Sequence, residues 1–188
     1  LCIGVGKGYD EYEFKAYNAD FHQRHDRFDE SLEILKLALQ NERVTYSGKY
    51  FQIDDIPVYP RPVQKPMPPI YVMVSQNDSS IIKAGQLGHS FFFGGLKNHD
   101  VAHKMNLYRE AALNAGFSEE YVNQAIGRSG KLLFVYVAET TEQAIKEYEK
   151  CLMWYVSVRD NRPTLDIIVR DRHITYDQFL QSENTIIG

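Results

Sequence analysis

Short apolar segments alternate with amphipathic ones along this chain, and that alternation limits the fold more than any other feature. The apolar segments lie at residues 1–5, 70–74, 90–95 and 131–139. Segments that are apolar throughout are typical of parallel strands covered on both faces. Segments with a helical spacing of apolar residues lie at residues 27–42, 79–88, 100–116 and 140–156. This order of strands and helices predicts an α/β fold with about four parallel strands and flanking helices.

Three connecting segments separate the early elements. Residues 9–25 are polar and aromatic and predict a loop. Residues 44–53 place two β-branched and aromatic arms around Ser47 and Gly48, which predicts a β-hairpin insertion. Residues 57–69 are rich in proline and predict an extended connector. The strands could then belong to an open doubly wound sheet or to part of a (β/α)8 barrel, and in both folds the functional residues follow the strand ends.

Composition excludes several classes of protein. The chain has 188 residues, 44% of them hydrophobic and 24% charged, which suffices for a sizeable core. Its net charge of -4 gives no general attraction to nucleic acid or to an anionic membrane. Cys2 and Cys151 are far apart in apolar surroundings, which predicts reduced thiols and a cytoplasmic protein. The chain starts inside a predicted strand and without an initiator Met, so we expect both ends to be cut.

The first strand ends in a loop where Lys7 stands between glycines, in the sequence "GVGKGYD". A P-loop needs G-x-x-x-x-G-K-[ST], and a dinucleotide fingerprint needs G-x-G-x-x-G at the start of a helix, so the spacing excludes both. Glycines make the loop sterically open, and a lysine there can meet an anion. The alternative is an ordinary solvated loop lysine.

The strand at residues 70–74 is followed by "SQNDSS", where hydroxyls and amides lead into a helix N-terminus that favours an anion. The alternative for this segment is ordinary N-capping. If both loops bind one phosphate, the Lys7 ammonium and the Ser80 hydroxyl should lie within roughly 5–8 Å of each other. Gly94 and Gly95, after the next strand, are either turn residues or leave room for a flat ring.

Other groupings favour structural roles. Two histidine pairs have helical spacing without the carboxylate or cysteine partners of a metal motif, so we predict no metal site at His22 with His25 or at His99 with His103. The cluster at residues 153–155, Met-Trp-Tyr, favours a core position, with a lid or substrate wall as the alternative.

The motifs occur in a recognisable order. The glycine-lysine loop is followed by the helix "RFDESLEILKLAL", the hairpin "VTYSGKYFQI", the proline connector, and the strand before "SQNDSS". This order resembles the bacterial luciferase-like flavin monooxygenase family over nearly the whole chain. The resemblance implies a (β/α)8 TIM-barrel fold, of which residues 1–188 would form one incomplete domain, truncated at both ends and carrying the fourth to seventh strands. It also implies that reduced FMN, or in some branches a deazaflavin, lies over the carboxyl ends of the strands.

The resemblance assigns cofactor-binding roles residue by residue. Lys7 falls where many members have an arginine that meets the flavin phosphate, and Arg24 or Arg27 matches a second phosphate arginine. The full set implied to bind the cofactor is Gly6, Lys7, Gly8, Arg27, Ser75, Gln76, Asn77, Ser80, Gly94 and Gly95. The family's principal catalytic histidine lies on an earlier strand, so no residue here is named as the catalytic base.

The implied function is a monooxygenase that uses reduced FMN and O2 to oxidise a small organic substrate. Two alternatives stay open: a deazaflavin-dependent oxidoreductase on the same barrel, and a flavin-binding barrel relative without catalysis. The resemblance also implies a flavin reductase as the source of reduced flavin, and it favours a homo- or heterodimer that binds neither nucleic acid nor membrane.

Overall fold

The computed structural model describes residues 1–65, 67–74, 77–160 and 173–188, except the side chain of Arg159. The chain divides into two compact units, Leu1–Tyr71 and Val72–Gly188. The first unit contains two strands of a hairpin, one further strand, two helices and a 3₁₀ turn at Phe21–Gln23. In chain order its strands and helices are β1 (Ile3–Val5), α1 (Glu11–Ala16), α2 (Arg24–Gln40), β2 (Arg43–Ser47) and β3 (Gln52–Pro57).

The predicted loop at residues 9–25 is wrong, because this segment holds α1, the 3₁₀ turn and the first two residues of α2. Asp10 begins α1 by accepting a hydrogen bond from the Tyr12 amide at 3.0 Å. Asp20 begins the 3₁₀ turn in the same way, with the His22 amide at 2.8 Å. No residue of α1 is buried, so the helix has no apolar face that periodicity could detect.

The predicted hairpin is confirmed, with β2 and β3 antiparallel and Ser47 opposite Gln52. The Glu30 carboxylate on α2 holds the hairpin loop, because it accepts from the amides of Lys49 at 2.9 Å, Tyr50 at 3.0 Å and Phe51 at 3.2 Å. The proline connector follows the hairpin, as predicted.

Strand β4 (Ile70–Val74) has the predicted bounds and contains the boundary between the units. The elements after it are α3 (Asp78–Gln86), β5 (Ser90–Phe93), α4 (Asn98–Asn114), α5 (Glu119–Arg128), β6 (Gly130–Lys131), β7 (Phe134–Tyr136), α6 (Thr141–Asp160), α7 (Tyr176–Leu180) and β8 (Thr185–Ile187). The strand order in the larger sheet is β1-β4-β5-β6, with β5 and β6 parallel. Strands β7 and β8 form a separate parallel pair.

The single strand predicted at residues 131–139 is wrong, because this segment contributes both to the β1-β4-β5-β6 sheet and to the β7-β8 pair. The Leu132 amide donates to the Phe93 carbonyl at 2.8 Å, whereas the Phe134 amide donates to the Asn184 carbonyl at 2.8 Å. The backbone therefore changes its strand partner within two residues. Helix α5 and strand β8 were not predicted.

Two apolar clusters stabilise the second unit. The first packs β4 and β5 against α3, α4 and α5, around Phe91, Phe93 and Tyr108. The second packs α6 against α7, β7 and β8, around Tyr148, Leu152 and Phe179. Within the described ranges, no helix is long and apolar enough to cross a bilayer. These helices fix the strand ends at which the candidate residues lie.

Candidate functional site

Of the three glycines in β1 and the loop after it, packing explains one. Gly8 has a φ of +73°, and a Cβ there would lie 2.6 Å from Cε2 of Phe14. Gly8 is therefore required by the backbone and by the Phe14 ring. Cβ atoms built at Gly4 and Gly6 would meet nothing within 4 Å, so protein packing does not require glycine at either position.

Aromatic rings connect this loop to the start of α2. Phe14 meets Phe21 edge to face, with 5.3 Å between ring centroids. The Arg24 guanidinium lies 3.7 Å above the Phe21 ring and donates to the Phe21 carbonyl at 2.9 Å. A continuous row of contacts thus runs from Gly8 through Phe14 and Phe21 to Arg24, and it fixes where the Arg24 charge lies.

His25, beside Arg24 in the first unit, is within electrostatic reach of Lys7 as well as of Arg24. Partial desolvation and the positive charges of Lys7 and Arg24 lower the pKa of His25 below its ordinary value of 6.5. Asp29 and Asp26 oppose this shift. We call Lys7 and Arg24, the two cations that act on His25, the cation cluster. Spacing along the chain did not reveal the influence of Lys7 on His25.

Arg27 lies against the hairpin. Its guanidinium donates to Oε1 of Gln23 at 3.3 Å and is 5.1 Å from the ring centroid of Tyr50 and 5.3 Å from that of Phe51. Of the two arginines left open by the sequence, Arg24 is the one whose charge acts with that of Lys7 on His25. The cofactor role of Arg27 stays a prediction.

In the second unit, the segment before α3 is capped as an ordinary helix start. Oδ1 of Asn77 accepts from the Ser79 amide at 2.9 Å, and the Asn77 carbonyl accepts from the Ser80 amide at 3.3 Å. Those two amides are therefore engaged within the protein, contrary to the expectation of free N–H groups there. Ser75 and Gln76 lie outside the described residues. The approach of Lys7 to Ser80 stays a prediction.

An ion pair that the sequence did not reveal joins the start of α3 to α4. Lys104 is only 3% exposed, and its Nζ lies 2.8 Å from Oδ1 of Asp78. Nε2 of His103 lies 3.6 Å from the other carboxylate oxygen of Asp78. The hydrogen bond and charge of Lys104, with a smaller effect of His103, lower the pKa of the Asp78 carboxyl. Asp78 is therefore a paired carboxylate at the helix start, where the helix dipole also favours negative charge.

Two glycines follow β5. Gly95 has a φ of +64°, which favours glycine, and a Cβ built there would meet nothing within 4 Å. A Cβ on Gly94 would meet only Cε of Met73, at 4.0 Å. This strand end is therefore sterically open, and the positive φ of Gly95 accounts for glycine at that position. Whether either residue lies beside a flavin ring stays a prediction.

Further expectations about side chains are settled one by one. Cys2 and Cys151 are free and exposed, so the predicted apolar surroundings are wrong. Trp154 is 68% exposed, so the core position favoured for it is also wrong, because Leu152 and Val156 occupy the buried face of α6. Thr140 caps α6, since its hydroxyl accepts from the Gln143 amide at 3.1 Å. In the described part of the chain, no three histidine, cysteine or carboxylate side chains converge on a metal position.

Residues 1–183 match the family described as luciferase-like monooxygenase. The chain belongs to that family. An uncharacterised protein of Sinorhizobium fredii, y4vJ, is 33% identical over 119 residues, which are 63% of this chain and 33% of that protein. An F420-dependent hydroxymycolic acid dehydrogenase of Mycobacterium tuberculosis is 30% identical over 47% of this chain and 24% of its own length. The chain thus matches only a quarter to a third of these curated relatives.

Solved structures share the fold. The monooxygenase RslO1 of Streptomyces bottropensis superposes with a TM-score of 0.75 at 23% identity, over 100% of this chain and 54% of its own. The oxygenating constituent of 3,6-diketocamphane monooxygenase from Pseudomonas putida, in complex with FMN, gives 0.68 at 20% identity, over 100% and 57%. The fold prediction is confirmed: luciferase-like TIM barrels have this α/β architecture, and the chain spans about half of them.

Proposed function

We propose that the protein carrying this chain is an FMN-dependent monooxygenase that uses reduced flavin and O2 to oxidise a small organic substrate. The observation that carries the proposal is the cation cluster. A terminal phosphate monoester has close to two negative charges at neutral pH, and charge-assisted hydrogen bonds are the strongest that a protein offers such a group. Membership of the luciferase-like monooxygenase family and the FMN complex of a relative with the same fold support it further.

The residues of the chain fit such a cofactor. Lys7 supplies one charged donor, and Arg24, which uses one N–H on the Phe21 carbonyl, retains other guanidinium donors for a phosphate. In the same unit, a Cβ built at Gly6 would meet nothing within 4 Å, so the loop that carries Lys7 is sterically open beside it. When bound, the reduced flavin supplies the electrons for O2 activation, whereas these residues bind its phosphate and hold its ring in place.

A second candidate is a deazaflavin-dependent oxidoreductase that transfers hydride and does not use O2. Its support is the printed function of two relatives, the F420-dependent dehydrogenase of Mycobacterium tuberculosis and an F420-dependent glucose-6-phosphate dehydrogenase of Kineococcus radiotolerans. We place FMN first because the family is described as luciferase-like monooxygenase and a relative with the same fold is in complex with FMN.

Isotope incorporation tests the proposal. The full-length protein is supplied with reduced FMN from a flavin reductase, isotopically labelled O2 and a panel of aldehydes, alkanes and sulfonates. We expect label from O2 in an oxidised product. Anaerobic oxidation of a substrate coupled to F420 reduction, without incorporation of label under aerobic conditions, would instead establish the second candidate.

A further inference from the structure

We propose that the hairpin loop at residues 48–51 is a positioning element for Arg27, and that Glu30 is the positioning residue that holds this loop in place. The inference rests on the proposed function, which puts the cofactor phosphate at the start of α2. It assigns a role to the sequence "YSGKYF", which the family resemblance left without one, and to the Glu30 carboxylate.

The Glu30 carboxylate organises the loop through three consecutive backbone amides. Its Oε1 accepts from the Lys49 amide at 2.9 Å, and its Oε2 accepts from the amides of Tyr50 at 3.0 Å and Phe51 at 3.2 Å. Hydrogen bonds from amides to a carboxylate are charge-assisted and roughly twice as strong as those between neutral groups. A Cβ on Gly48 would overlap the carboxylate, so glycine at this position allows its close approach. The conformation of the loop therefore depends on one side chain of α2.

The loop in turn places two aromatic rings against Arg27. The guanidinium carbon of Arg27 lies 5.1 Å from the ring centroid of Tyr50 and 5.3 Å from that of Phe51. Both distances are within the range of cation–π attraction, which restricts the directions that the guanidinium can take. The Tyr50 ring is itself held at its hydroxyl, which donates to Oδ2 of Asp26 at 3.3 Å. Glu30 thus acts on Arg27 through the two rings.

Arg27 lies where a fixed charge can serve a phosphate at the start of α2. Arg24 and Arg27 are three residues apart on the helix, so they lie on the same face. The contacts described for Arg27 use one of its five N–H donors, on Oε1 of Gln23 at 3.3 Å, and the others remain for an anion. A long side chain that is held in place before the ligand arrives loses less rotamer entropy on binding. Glu30 therefore raises the affinity for a ligand that ends in a phosphate and leaves the affinity for the same ring without a phosphate unchanged.

Paired titrations of FMN and riboflavin into the full-length protein test the inference. Glu30→Gln keeps the shape of the side chain but removes its charge and one acceptor oxygen. We expect this variant to raise the FMN dissociation constant roughly 3- to 10-fold, because Arg27 is present but no longer held, and to leave the riboflavin constant within about twofold. Glu33→Gln is the matched control, because Glu33 lies one turn further along α2 and meets the hairpin at the Tyr46 hydroxyl, at 3.1 Å. It should leave both constants unchanged.

A double-mutant cycle measures whether Glu30 acts through Arg27. Arg27→Met alone should raise the FMN dissociation constant about 10-fold or more. In that background, Glu30→Gln should change the constant by less than about twofold, because the group that Glu30 holds is gone. Phe51→Leu removes one ring and keeps the loop amides, so it should weaken FMN binding selectively as Glu30→Gln does. It decides the question if Glu30→Gln does not fold.

Equal losses of FMN and riboflavin affinity in Glu30→Gln would show a purely structural role and overturn the inference. An effect of Glu30→Gln that persists in the Arg27→Met background would overturn it as well, as would unchanged FMN affinity in Arg27→Met. If the wild type prefers FMN to riboflavin and the variants keep that preference, the inference fails while the proposed function stands. Equal affinities of the wild type for the two ligands would contradict both.

Discussion

Gly8→Ala is the substitution that most directly tests the structure around Lys7. The alanine would have to adopt a φ of +73°, which costs about 1–2 kcal/mol for a residue with a Cβ. Its Cβ would also lie 2.6 Å from Cε2 and 2.9 Å from Cζ of Phe14, so the ring must move away, at roughly 1–3 kcal/mol for an overpacked site. The reduced entropy of the unfolded chain returns about 0.4–1 kcal/mol. We expect a net loss of about 2 kcal/mol in the free energy of unfolding.

Urea unfolding of Gly8→Ala beside Gly6→Ala measures this loss. Gly6 is the matched control because a Cβ there would meet nothing within 4 Å and its φ is not in the left-handed region. Gly6→Ala should therefore change the free energy of unfolding by less than about 0.5 kcal/mol. Adding Phe14→Leu to Gly8→Ala should recover the clash component and leave the backbone component. Equal stabilities for the two alanine variants would refute the described contact between Gly8 and Phe14.

Three further predictions concern single side chains. Lys7→Ala should weaken FMN binding about 10- to 150-fold in an equilibrium titration, which corresponds to the loss of one charge-assisted hydrogen bond. Lys7→Arg should bind FMN at least as tightly as the wild type. An alanine variant with unchanged affinity would contradict the phosphate role of Lys7. Lys104 lowers the pKa of Asp78 in the folded state, so the ionised carboxylate stabilises the fold at pH values above 3.8, its ordinary pKa. This contribution is lost as the pH falls from 3.8 through the lowered pKa. In that pH range, the free energy of unfolding of Asp78→Asn should therefore change less with pH than that of the wild type. Tyr108→Phe should raise the free energy of unfolding by about 1 kcal/mol in urea denaturation. The reason is that the Tyr108 hydroxyl is buried without a hydrogen-bond partner in the described residues, and burial raises its pKa to about 12. A loss of stability in Tyr108→Phe would show that the hydroxyl has a partner.

Local signals in the sequence sufficed for most of the fold. Ile70–Val74 was predicted with its bounds unchanged, because a short apolar run followed by polar residues and a capped helix is unambiguous. Helices α1 and α5 were missed although their capping residues were present, Asp10 with Glu11 and Ser118 with Glu119. Helix α1 has no apolar face, so only its capping residue distinguished it from a loop.

Features that depend on distant partners were beyond the sequence. The division of the strand at residues 131–139 depends on β8, which lies about 50 residues later and pairs with β7. Asp78 and Lys104 are 26 residues apart in the chain, and their ion pair joins α3 to α4. The helical spacing of α4 does not distinguish a buried lysine from an exposed one. The influence of Lys7 on the pKa of His25 likewise depends on the fold, in which the Phe14 ring after β1 meets the Phe21 ring before α2.

The central claim is that Lys7 and Arg24 bind the phosphate of a flavin cofactor. The ratio of riboflavin to FMN dissociation constants for the full-length protein at pH 7 tests it most directly, because the two ligands share the ring and differ in the phosphate. If the protein makes at least one charge-assisted contact to the FMN phosphate, the dissociation constant of riboflavin should be about 10 times that of FMN or more. Equal dissociation constants would contradict the claim.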